Sequence, residues 1–159
     1  MTPTIREFRL AILLLAATTL AGVPAAAQKA DGHTVLIGEL MWAASPASDD
    51  ATWDEADEYC ETSELAGHRD WRLPTLAELE ALYDPTTGSR IRSPFELDDC
   101  CLWSSTSLEE LGAERKAGLA NPMNADRDYF WGFLYGSGTR YYSVRRFADG
   151  RALCVRDVS

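Results

Sequence analysis

The chain has 159 residues, 46% of them apolar and 10% aromatic, with 15 Lys and Arg against 25 Asp and Glu for a formal net charge of −10. This is the balance of a globular domain, and its acidic field has the wrong sign for coating nucleic acid or anionic lipid. Four cysteines with only two histidines also argue against a zinc module.

Residues 1–27 read as a secretory signal peptide. Arg6 and Arg9 precede the apolar run Leu10–Val23, and Ala25 and Ala27 form an Ala-x-Ala exit before Gln28. The run of about 14 residues is shorter than the roughly 20 that span a bilayer, so no membrane span is expected after cleavage. The predicted location is periplasmic or secreted, and residues 28–159 read as a single domain. Within it, Gln28–Glu110 carries 19 acidic and 5 basic residues, whereas Leu111–Ser159 carries 5 acidic and 8 basic. The C-terminal third is therefore the expected anion-facing surface.

His33–Trp42 predicts a strand, although Leu36 and Leu40 blur its alternation. A polar loop, Ser45–Asp50, leads into Thr52-Trp53-Asp54-Glu55, a capping box that predicts a helix with Trp53, Ala56 and Cys60 on its inner face and acidic residues outside. A second capping box, Thr75-Leu76-Ala77-Glu78, predicts a helix stopped by Pro85. Residues 85–100 read as irregular connection around Phe95. Strands are then predicted at Leu102–Thr106, Tyr129–Tyr135, Arg140–Val144 and Ala152–Val158, with hairpin turns at Gly136-Ser137-Gly138 and Asp149-Gly150. Two helices followed by strands make an α+β domain.

Between the helices, each residue of Asp70-Trp71-Arg72-Leu73-Pro74-Thr75 has a packing role available. Pro74 sets the helix entry, Thr75 caps it, Trp71 fills the core, and Arg72 meets a carboxylate or loop carbonyls.

Several segments together resemble one family. Leu40-Met41-Trp42, the helix Thr52–Cys60, Ala66–Thr75 with Glu78-Leu79, Trp103-Ser104-Ser105-Thr106 and Cys154-Val155-Arg156 occur in the order found in the C-terminal domain of the Legionella collagen-like (Lcl) adhesin. The resemblance runs from about residue 33 to 157, and Asp70–Thr75 is its most specific piece. It implies a C-type-lectin-like fold, with two helices and a small twisted antiparallel sheet. The family's characterised adhesin binds sulfated glycans through a basic surface on a collagen-like stalk. This chain shows neither that charge nor that stalk, so a binding role is implied without that ligand.

The resemblance also implies a Cys60–Cys154 disulfide joining the first helix to the last strand. Cys100 and Cys101 fall outside the family pattern; they could form a vicinal disulfide, stay reduced or bridge chains, and cross-pairing with Cys60 and Cys154 stays open. Arg72-Leu73-Pro74-Thr75-x-x-Glu78 is similar as well to the formylglycine-generating enzymes, which use a cysteine pair with copper. Those domains are much longer, and here the spare cysteines are adjacent and precede the Trp103 strand, so a non-catalytic protein is expected.

Two sets of residues could bind a ligand. Asp98, Asp99, Asn124, Asp126 and Asp128 are oxygen donors for calcium, although the loop from Asn124 has Tyr129 and Tyr135 where an EF-hand needs Gly and Glu. Tyr129, Tyr135, Arg140, Tyr141, Tyr142, Arg145 and Arg146 combine aromatic faces suited to sugar rings with guanidinium groups suited to carboxylate or sulfate, while alternation would send Trp131 and Phe133 inward. His33 and His68 read as surface residues. The expected protein is a lectin-like binding module with a glycan or an envelope protein as partner and no resident cofactor.

Overall fold

The computed structural model describes residues 33–97, 101–108 and 128–158. The leader, Cys100 and four of the calcium candidates (Asp98, Asp99, Asn124 and Asp126) lie outside the described residues.

The stretch expected as one strand is a hairpin, β1 (Thr34–Ile37) and β2 (Leu40–Ala43), paired antiparallel from Thr34↔Ala43 to Ile37↔Leu40. Gly38 turns it at φ +63°, a value that costs glycine little. That turn is why Leu36 and Leu40 break the alternation: they belong to different strands. β2 pairs in turn with β6 (Val155–Asp157), giving a sheet of order β1–β2–β6.

Helix α1 (Trp53–Glu61) begins at the expected capping box. The Thr52 hydroxyl accepts from the Glu55 amide at 3.2 Å, and the Glu55 carboxylate accepts from the Thr52 N–H at 2.9 Å. Its buried side carries Ala56 and Cys60, and Cys60 is disulfide-bonded to Cys154 across 94 residues of sequence.

Helix α2 (Leu76–Ala81) is capped in the same way by Thr75 and Glu78, with Leu76 and Leu79 buried and Leu82 buried just beyond its end. It ends ahead of Pro85 because Leu82 and Tyr83 already donate to carbonyls three residues back, Leu79 and Glu80, each at 3.1 Å.

A second sheet holds β3 (Cys101–Ser107), β4 (Tyr129–Leu134) and β5 (Thr139–Val144) in that order, all antiparallel. The domain is thus α+β, but with two three-stranded sheets where one was expected. Asp149-Gly150 makes no hairpin; Gly150 instead bridges to Ala51 and Arg151 to Leu102, because this segment crosses from the second sheet back to the first. The final strand shrinks to Val155–Asp157 for the same reason.

β3 slips register between Trp103 and Ser107, and the irregularity frees its polar groups to hold α2. The Ser105 amide donates to the Pro74 carbonyl at 2.7 Å, and the Thr106 hydroxyl accepts from the Leu76 amide at 3.0 Å. Trp103 lies in the core, its indole N–H donating to the Ala51 carbonyl at 2.8 Å. Upstream, Trp71 is buried and Asp70 pairs with Arg156 at 2.7 and 2.9 Å. Arg72 grips Glu78 with two bonds of 2.9 Å, fixing the carboxylate that caps α2.

Candidate functional site

The register of β4 on β5 sorts the aromatic residues onto two faces. Trp131↔Tyr142 and Phe133↔Arg140 place Tyr129, Trp131, Phe133, Arg140 and Tyr142 on one side; Phe130↔Ser143 and Gly132↔Tyr141 place the others opposite. Both faces are partly covered, so alternation alone does not separate core from surface. On the second face, Phe130 stacks on Trp53 of α1 with ring centroids 3.7 Å apart, and Tyr141 packs against Trp103 at 5.8 Å.

On the first face, the loop end of the hairpin is covered by α2 and the residues after it. Tyr83 meets Phe133 edge-on at 5.7 Å, and Tyr135 is fully buried with its hydroxyl donating to the Leu79 carbonyl at 2.6 Å. Burial pushes the Tyr135 phenol far above its ordinary range. Tyr135 therefore leaves the set of expected ligand residues: it lies beyond β4, in the turn, where the chain folds back under α2.

No described helix covers the other end of this face. Tyr142 is 37% exposed and stands edge-on between two half-buried rings, Trp131 at 5.4 Å and Tyr129 at 6.1 Å. Trp131, expected inside, is half-buried and packs against the core while its ring also meets Tyr142 in this cluster. The hairpin length that pairs it with Tyr142 is the signal that would have found it.

The arginines divide differently. Arg140 pairs with Glu80 of α2, one contact measuring 2.9 Å, and this hydrogen bonding raises the guanidinium pKa further. Arg145 pairs with Asp54 of α1, its Nε donating at 3.1 Å, and lies 5.3 Å from the Trp53 ring centre and 6.0 Å from that of Phe130. Asp54 and, more weakly, Asp128 and Asp57 raise its pKa. Both arginines thus tie helices to the hairpin. Arg146 is exposed and has no ion pair among the described residues.

Asp128, the one calcium candidate within the described residues, sits at the entry to β4, where its carbonyl accepts from the Arg145 amide at 2.7 Å. Among the described residues no group of three His, Cys, Asp or Glu side chains is placed to hold a metal ion. The Cys101 thiol faces the Asp149 carbonyl. An open cleft of about 420 Å³ lies beside α1, walled by Asp49, Asp50, Glu55 and the exposed Tyr59. Each of its carboxylates already has a partner: Ser48 at 2.9 Å, Arg151 at 3.4 Å and the Thr52 cap.

The family model of the Lcl C-terminal domain matches residues 36–156. The chain belongs to this family. Comparison with curated proteins and with solved structures yields no match. In this Lcl C-terminal domain the segments that carry the resemblance, Asp70–Thr75 and Trp103–Thr106, are spent on capping, ion pairing and core packing. They hold the hairpin in place; the open aromatic face lies beside them. No helix among the described residues is long and apolar enough to cross a membrane.

Proposed function

We propose that this domain is a periplasmic or secreted, non-catalytic binding module of C-type-lectin-like fold. It recognises a glycan or a protein surface through the open face of β4 and β5. The observation that carries the reading is the exposed Tyr142 ring flanked by the half-buried rings of Tyr129 and Trp131, on a sheet braced from both sides by helices. Rigid aromatic rings supply contact area with little conformational freedom to lose, so a braced cluster binds better than a mobile one. The buried Cys60–Cys154 bridge supports an oxidising compartment, since disulfides persist outside the cytosol. Membership of the Lcl C-terminal domain family supports an adhesin-like role.

Recognition in this reading needs no resident cofactor. Screening the protein against a glycan panel, once with calcium and once with chelator, tests it. Binding that survives chelator is expected. Binding abolished by chelator would move the site to the acidic set around Asp128, and silence in both conditions would leave a protein partner to be sought in envelope extract.

A further inference from the structure

Resting on that reading, we propose that the open face takes a neutral glycan, an oligosaccharide of uncharged hexose or N-acetylhexosamine units, in preference to a sulfated or uronic-acid one. The sequence places three arginines in this region, a composition suited to anions. The structure withdraws two of them: Arg140 is held by Glu80 and Arg145 by Asp54, each carboxylate cancelling the charge a sulfate would meet. Of the three, only Arg146 has no ion pair among the described residues. Among the described residues of this region a polyanion therefore meets one guanidinium without a carboxylate partner, on a chain of net charge −10 whose overall field opposes its approach.

What the face does offer suits an uncharged sugar. The C–H side of a pyranose ring packs on aromatic rings, and the phenol groups of Tyr129 and Tyr142 can donate to or accept from its hydroxyls. Tyr129 and Trp131 are two positions apart on one strand face, about 6.6 Å, so with Tyr142 between them the cluster spans about two linked sugar rings.

The test measures binding of the full, oxidised protein to cellohexaose, chitohexaose and a heparin hexasaccharide by calorimetry, at about 50 mM and about 500 mM salt. A neutral probe is expected to bind with affinity changing less than about twofold between the two salts, because no charge pair is screened. Tyr142→Ala should weaken it about tenfold, Tyr142→Phe should retain most of the affinity, and Arg146→Ala should leave it unchanged. Circular dichroism of each variant confirms the fold.

Preference for heparin, with binding that falls steeply with salt and is lost in Arg146→Ala, overturns the neutral class while leaving a glycan-binding module. Neutral binding indifferent to Tyr142→Ala overturns the assignment to this face. No binding to any of the probes overturns the glycan reading itself.

Discussion

Replacing Cys60 and Cys154 together with Ala should bring the domain to the edge of unfolding. The bridge closes a loop across 94 residues, and the loop-closure model gives about 4.7 kcal/mol of denatured-state entropy for a loop of that length. Both sulfurs are fully buried, so their removal adds about 1–2 kcal/mol of lost packing. The sum, about 6 kcal/mol, approaches the whole stability of a typical domain, about 5–15 kcal/mol. At about 3–4 °C per kcal/mol, the melting temperature should fall by about 20 °C. Urea titration followed by tryptophan fluorescence measures this, and the denaturant slope should also rise, because an uncross-linked denatured chain exposes more surface. A loss under about 2 kcal/mol with an unchanged slope would refute the reasoning.

Further outcomes follow from the contacts described above. Tyr135→Phe removes the hydroxyl that donates to the Leu79 carbonyl, leaving that carbonyl the Leu82 amide alone, and should cost about 1 kcal/mol in the same titration while leaving ligand affinity intact; weakened binding at unchanged stability would return Tyr135 to the ligand set. Gly132→Ala puts a Cβ against the Tyr141 ring and 2.6 Å from the Leu102 carbonyl oxygen, so a loss of about 3 kcal/mol or more is expected, read as soluble yield and melting temperature. Burial raises the Glu78 carboxyl, but the bonds from Arg72 and the Thr75 N–H outweigh it and hold the group below its ordinary 4.5. Its stabilisation is then complete above 4.5 and lost as pH falls through the lower folded value. The stability difference between wild type and Glu78→Gln should accordingly shrink from about pH 7 to about pH 3; a difference that stays constant would contradict it.

Local signals carried much of the fold. Thr52 and Glu55, and Thr75 and Glu78, are three residues apart, and their reciprocal bonds form whatever the rest of the chain does, so both helix starts were legible. The first strand was misread because a glycine turn inside an apolar run leaves the composition unchanged; only Gly38 and the broken alternation hint at it. The site was less legible, since each residue's role depends on a distant partner. Arg140 and Arg145 look like anion-binding groups until α2 and α1 bring Glu80 and Asp54 to them across 60 and 91 positions. Tyr135 and Tyr142 are alike in sequence context, and only the packing of α2 over one end of the hairpin buries the first and leaves the second open.

The placement of β6 has a consequence for the order of synthesis. Val155–Asp157 lies beside β2, Arg72 exchanges backbone bonds with Val155, and Cys154 holds α1, so residues made later close a part of the domain made much earlier. Before β6 is made, the chain can form the β1–β2 hairpin, the helix caps and the β3–β4–β5 sheet, but the first sheet lacks the strand that ties it to Arg72 and α1. Closure of the β1–β2–β6 sheet and of the Cys60–Cys154 bridge therefore waits for Cys154–Asp157, however early the rest of the domain is made.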